Sequence, residues 1–176
     1  MEMKIIPIYT ESKKNRQGHT IFIDEHTEKS YKALHKESNQ WVYWIGFFAI
    51  LAIMRSIQSI HIPLSLISII IIFTSLLVLT VLVSRIVYKH LFYEEVKEIY
   101  LTNTMIEEYI EDGKSVYKME VWIAILSFLI FVILTIIFFI NLSLVILIFS
   151  IFLFFIFCLM MKRLPLARIK LYQKGK

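Results

Sequence analysis

The chain has 176 residues, of which 58% are hydrophobic and 19% charged, with a formal net charge of +5. That apolar fraction lies above the range of soluble domains, and a chain of this length with so much lipid-compatible sequence has no room for a large water-soluble catalytic domain. A single cysteine, Cys158, excludes an intrachain disulfide and any cysteine-based zinc site.

Residues 1–40 are polar and mixed. Lys4–Tyr9 and His19–Ile23 are β-rich and flank the basic stretch Ser12–Gly18, a pattern that predicts a small hairpin with Pro7 on an edge strand. Two strands alone are marginal, so this hairpin is expected to lean on another part of the chain. The polar start also predicts that no cleavable signal peptide is present and that internal segments direct insertion.

Residues 41–84 read as a first membrane hairpin. Trp41 and Trp44 suit the headgroup boundary, and the run continues to about Ile60 across Arg55, whose guanidinium is expected to snorkel outward. Pro63 restarts the chain, and Ile62–Ser84 is an uncharged second span. Ser65, Ser68, Thr74, Ser75, Thr80 and Ser84 are expected to hydrogen-bond between helices.

Residues 85–120 form a middle polar segment. Arg85–Tyr93 should extend the second helix beyond the membrane, with His90, Glu94 and Glu98 on one helical face. Thr104–Ile110, Glu111–Lys114 and Ser115–Tyr117 read as strand, turn and strand, because Asp112-Gly113 is a hairpin signal. This acidic segment, with eight carboxylates against five Lys/Arg, is expected to face the basic C-terminal tail. Pairing of its strands with the N-terminal ones would build one small sheet.

Residues 121–161 carry no charged side chain. One straight helix of that length would reach about 60 Å, twice the ~30 Å hydrocarbon core, so the chain is expected to fold back at Phe139–Ser143 into two spans. Residues 162–176 are a basic tail whose Lys162, Arg163, Arg168, Lys170, Lys174 and Lys176 suit anionic headgroups and make nucleic acid a poor partner.

The resulting expectation is an all-α polytopic protein of four transmembrane helices, arranged as two hairpins, with a small β-containing cytoplasmic part. Of 19 Lys and Arg residues, 18 lie in 1–40, 85–120 and 162–176, so the positive-inside rule places both termini and the middle segment in the cytoplasm of a multi-pass cell-membrane protein.

No catalytic constellation is visible, and no metal or cofactor is expected. The histidines His19, His26, His35, His61 and His90 form no HExxH pair, and the four glycines are too scattered for a phosphate loop. The polar groups nearest the spans are Arg55, Gln58, His61 and Asn141, all at expected outer helix ends, where they form a candidate recognition collar.

The β-rich start ending in Thr20-Ile21-Phe22-Ile23-Asp24-Glu25, the Ile-rich spans and the Lys-rich loops resemble the tandem five-transmembrane proteins of Gram-positive bacteria, against the four spans counted in this chain. The resemblance implies a non-enzymatic immunity protein that neutralises a secreted membrane-active toxin or bacteriocin. A different reading is a small transporter or channel component, or an accessory transporter subunit, suggested by the echo of two hairpins. That reading predicts a homo-oligomer.

Overall fold

The computed structural model describes residues 5–13, 16–24, 27, 29–35, 41, 44, 45, 48, 49, 52, 55, 65–91 and 93–174. It divides into two units. One comprises residues 1–37, 87–122 and 160–176, and the other residues 38–86 and 123–159.

The first unit is built on a four-stranded antiparallel sheet in the order β1 (Ile5–Lys13), β2 (Arg16–Asp24), β3 (Ser30–His35) and β4 (Tyr93–Ile99). The β2 sequence explains its place: Thr20-Ile21-Phe22-Ile23 is β-branched and aromatic, which suits a pleated surface with neighbours on both sides. β1 and β2 pair from Ile5↔Asp24 to Lys13↔Arg16, with a register shift between Pro7 and Tyr9. Proline has no N–H for the ladder, so a bulge beside it on an outer strand removes the conflict. β3 joins β4 through Ser30↔Ile99, Tyr31↔Glu98 and Ala33↔Val96, although the two strands are far apart in sequence.

After β4, Thr102 caps a long helix α2 (Asn103–Asn141): its Oγ1 accepts the Met105 N–H at 3.4 Å. In the first half of α2, Glu107, Glu108 and Glu111 are exposed, while Gly113 and Glu120 are buried. Ile106, Tyr109, Ile110, Val116 and Tyr117, at intervening positions, are partly buried. That spacing of three and four is the helical period. The last helix of this unit is α3 (Leu166–Lys174), which follows Pro165 and meets β1.

The second unit is helical. Helix α4 (Leu66–Leu91) is capped by Ser65, whose Oγ accepts the Ser68 N–H at 3.3 Å. The C-terminal half of α2 and helix α5 (Leu144–Arg163) complete the long elements. Between them Leu142 takes the left-handed conformation (φ 50°), which lets the chain turn sharply without glycine at a local cost of about 1 kcal/mol. The turn falls within the Phe139–Ser143 stretch expected to reverse the chain. Contacts across the pair run in opposite order along the two helices: Phe128 with Phe157, Phe131 with Phe154, and Thr135 with Ser150. The helices are therefore antiparallel, and Ile69, Phe73, Phe131, Phe138 and Leu147 form their shared core with α4.

Three expectations are corrected. The fold is not all-α with four spans: the sheet is sizeable, and three helices among the described residues are long and apolar enough to cross a membrane. Of the expected first span, Trp41, Trp44, Ile45, Phe48, Ala49, Ala52 and Arg55 are helical and exposed, and the rest lies outside the described residues. In the middle segment the expected extension of the second helix holds through Leu91, but a strand begins at Tyr93 and a helix stands in place of the Asp-Gly hairpin. The unpaired edge of β3 overrides the helical charge spacing of β4. His90 ends up in α4 and Glu98 in β4, so they share no helical face. Finally, Thr74, Ser75, Thr80 and Ser84 donate to carbonyls of their own helix, whereas within the helical unit Thr135 and Ser150 pair between helices at 2.9 Å.

Candidate functional site

The densest polar chemistry lies inside the sheet-containing unit. It begins at Pro7, where the bulge turns the Ile8 carbonyl out of the ladder. The Tyr172 hydroxyl of α3 donates to that carbonyl, and both are buried. Gly113 of α2 makes this approach possible, because a Cβ there would stand 2.6 Å from the Ile8 oxygen and would also strike the Tyr172 hydroxyl. The Asp112-Gly113 pair thus serves a close helix–strand contact instead of a turn.

One turn along α2, Tyr117 stacks on Tyr172 with ring centroids 4.5 Å apart and planes 8° from parallel. The Arg168 guanidinium lies 5.7 Å from each centroid, within cation–π range of both rings. Arg168 is only 1% exposed, and its Nη1 donates to Glu120 Oε2 at 2.6 Å and to the Arg163 carbonyl at 2.8 Å. Arg163, at the end of α5, places Nη2 2.8 Å from Glu120 Oε1. One buried carboxylate therefore faces two guanidinium groups.

This arrangement is expensive to break. Taking either ion from water costs several kcal/mol, and only the partner offsets it. Glu120 Oε1 and the Nε atoms of Arg163 and Arg168 are buried and make no hydrogen bond among the described residues, so the Coulombic attraction carries much of the compensation. Burial also pushes the Tyr172 phenol above its ordinary range, with the Arg168 charge opposing the shift.

From Arg163 a polar chain runs across one face of the sheet. Its Nη2 donates to Thr10 Oγ1 at 3.3 Å. Thr10 and Thr20 are register partners on β1 and β2, with hydroxyls 3.3 Å apart. Thr20 pairs with Ala33 on β3, so His35, two residues on, shares the same face. The His35 Nε2 lies 2.7 Å from Thr20 Oγ1. Room for the imidazole comes from Gly18, where a Cβ would stand 2.7 Å from the ring Nδ1. Burial, then the charges of Arg163 and His19, lower the His35 pKa from its ordinary 6.5. Beside this chain, His19 Nδ1 meets Glu11 Oε2 at 3.0 Å.

The residues expected to form an outer collar are not brought to this cluster. Arg55 is helical and exposed, and Asn141 is exposed at the last position of α2. Gln58 and His61 lie outside the described residues. The basic tail divides in two: Lys162 and Lys170 are exposed, whereas Arg163 and Arg168 are committed to Glu120. No group of three His, Cys, Asp or Glu side chains among the described residues could hold a metal ion. Cys158 is buried in α5.

Sequence reasoning anticipated that acidic middle and basic tail would meet, but not through Glu120 specifically. A signal existed: Gly113, Tyr117 and Glu120 recur at helical spacing, and Arg168 and Tyr172 do so four residues apart. Comparisons with known protein families, with curated proteins and with solved structures find no match.

Proposed function

We propose that the chain is a multi-pass membrane protein that acts by binding and protects its cell from a secreted, membrane-active toxin. The observation that carries this reading is the apolar surface left uncovered by the three long helices. Within their most apolar windows only 17% to 22% is buried against protein. Ile67, Ile71, Val78, Leu82 and Ile86 on α4 are among the exposed side chains, as are Trp122, Leu129, Ile133 and Ile136 on α2. In water such a surface would drive aggregation, whereas in a bilayer it is matched to lipid. A toxin that inserts in lipid meets these same helix surfaces, so a complementary face suffices to block it and no bond need be made or broken.

Charge and strand pairing support one orientation. β3 is hydrogen-bonded to β4, so the chain that departs after His35 returns to the same sheet at Tyr93. The first unit likewise holds residues 87–122 and 160–176. With 18 of the 19 Lys and Arg residues in 1–40, 85–120 and 162–176, that side is the cytoplasm.

The test is protection. The chain is expressed in a sensitive bacterium and challenged with the toxin encoded beside it, while survival and membrane potential are followed. Survival with the potential maintained is the expected result, and Arg55→Ala with Asn141→Ala should weaken it while membrane expression stays intact. Full killing of cells that hold the protein in their membrane would overturn the reading and make solute flux through liposomes the next measurement.

A further inference from the structure

The chain from Arg163 to His35 begins at an obligate donor and ends at a titratable ring, so its hydrogen arrangement is sensitive to a single proton. Arg163 is always a donor, because its guanidinium has no acceptor. Thr10 Oγ1 therefore accepts from Nη2, and its own proton is free to point along the sheet to Thr20 Oγ1, 3.3 Å away. Thr20, fully buried, then has its proton available for the one remaining neighbour in the chain, His35 Nε2 at 2.7 Å. With a neutral His35 accepting at Nε2, these contacts admit one common direction, from a permanent cation to the lone pair of an imidazole; the His35 tautomer decides it.

We propose that this chain is a pH-responsive latch, in which protonation of His35 reverses the two threonine hydroxyls and weakens the hold of Arg163 on the sheet. Once Nε2 carries a proton it donates to Thr20, whose hydrogen must turn toward Thr10. Thr10 Oγ1 then receives two donors at once, and its own hydrogen loses its place. Arg163 also comes to face a second cation across the two hydroxyls. The same guanidinium is paired with Glu120 of α2, which in turn holds Arg168 of α3, so the protonation is felt where these elements meet.

The surroundings of His35 favour the neutral ring. On β2 stand Thr20 and His19, on β1 Thr10 and Glu11, at the end of α5 Arg163, and on β4 Tyr93 is its register partner. Glu11 is engaged by His19 at 3.0 Å. Burial and the charges of Arg163 and His19 set the folded-state pKa below 6.5. The sign follows: a depressed pKa contributes stability that is complete above pH 6.5 and is lost as pH falls through the folded-state value. The latch is closed at neutral pH and opens on acidification.

The test uses the full chain, isotope-labelled at histidine, in lipid bicelles. Long-range ¹H–¹⁵N spectra report the tautomer and the pKa of His35 directly. The wild-type ring should be the Nδ1–H tautomer with a midpoint below 6.5. Thr10→Val removes a hydroxyl and no charge, and it should raise the midpoint, because Thr20 is then free to accept from a protonated ring. Arg163→Gln should raise it further, and the two changes should not add. An Nε2–H tautomer in the wild-type protein would overturn the proposal without any variant. A midpoint that moves with Arg163→Gln but not with Thr10→Val would also overturn it, since charge alone would then account for the shift.

Discussion

The two units of this chain solve opposite problems. In the sheet-containing unit, Thr20, Ser30, Glu120 and Arg168 are buried, and tertiary contacts among polar groups fix the geometry. In the helical unit, Ile71, Val78, Leu129 and Ile133 are exposed, and the polar groups are mostly satisfied by their own helix. Water supplies the hydrophobic drive for the first unit, so the cost of hiding charges must be met by pairing. The helices of the second are long and apolar enough to cross a membrane, where lipid removes that drive and helix backbones are complete without partners. The contrast predicts that single polar substitutions are severe in the first unit and mild in the second.

The largest effect should come from Glu120→Ala, which leaves Arg163 and Arg168 facing each other without a counter-ion. A loss of about 3–5 kcal/mol in unfolding free energy is expected, measured by denaturant titration of the purified protein in detergent. Replacing Glu120, Arg163 and Arg168 together by leucine and methionines should recover much of it, because an apolar cluster leaves no charge to compensate. A milder response to the single change than to the triple one would break the comparison.

Gly113→Ala should rank next. Its methyl meets the Ile8 carbonyl at 2.6 Å, and that atom is backbone in a bulged strand, so α2 or β1 must shift. Tyr172→Phe removes the bond to the same carbonyl and leaves a buried acceptor unpaired, a loss of about 1–3 kcal/mol. The same phenol adds an alkaline limit. Its raised pKa contributes stability that is complete below about pH 10 and disappears as pH rises through the folded-state value, a dependence Tyr172→Phe should abolish.

The smallest effect should be in the helical unit. Thr135→Ala breaks the hydroxyl pair with Ser150, a bond between α2 and α5 inside the helical unit, at a cost of about 0.6 kcal/mol. A cost as large as that of Tyr172→Phe would show that polar packing governs both units alike.

The sequence is legible in proportion to how strictly the solvent constrains it. The uncharged run after Val121 permits no reading but lipid-compatible helices, and Asn141–Ser143 is the only polar interruption near its middle. The strands around Pro7 and Thr20 declared themselves through β-branched residues flanking a basic turn. β4 did not, because Glu94, Glu95 and Glu98 carry helical charge spacing and only the open edge of β3 turns them into a strand. The Asp112-Gly113 pair misled for a physical reason: glycine marks either a turn or a close approach, and only the position of Tyr172 distinguishes them. The Glu120 cluster joins residues from β1, α2, α3 and α5, so its members are separated by up to 164 positions along the chain.

The proposal most open to a direct test is the orientation, with residues 1–40, 85–120 and 162–176 facing the cytoplasm and Asn141 facing outward. Cysteine accessibility tests it most directly. In a Cys158→Ser background, single changes Lys97→Cys on β4, Lys170→Cys on α3 and Asn141→Cys at the end of α2 place a thiol at three exposed positions. With a membrane-impermeant maleimide on intact cells, Asn141→Cys should be labelled, and Lys97→Cys and Lys170→Cys only after permeabilisation. Labelling of Lys97→Cys and Lys170→Cys from opposite sides, or of all three from the same side, would contradict the account.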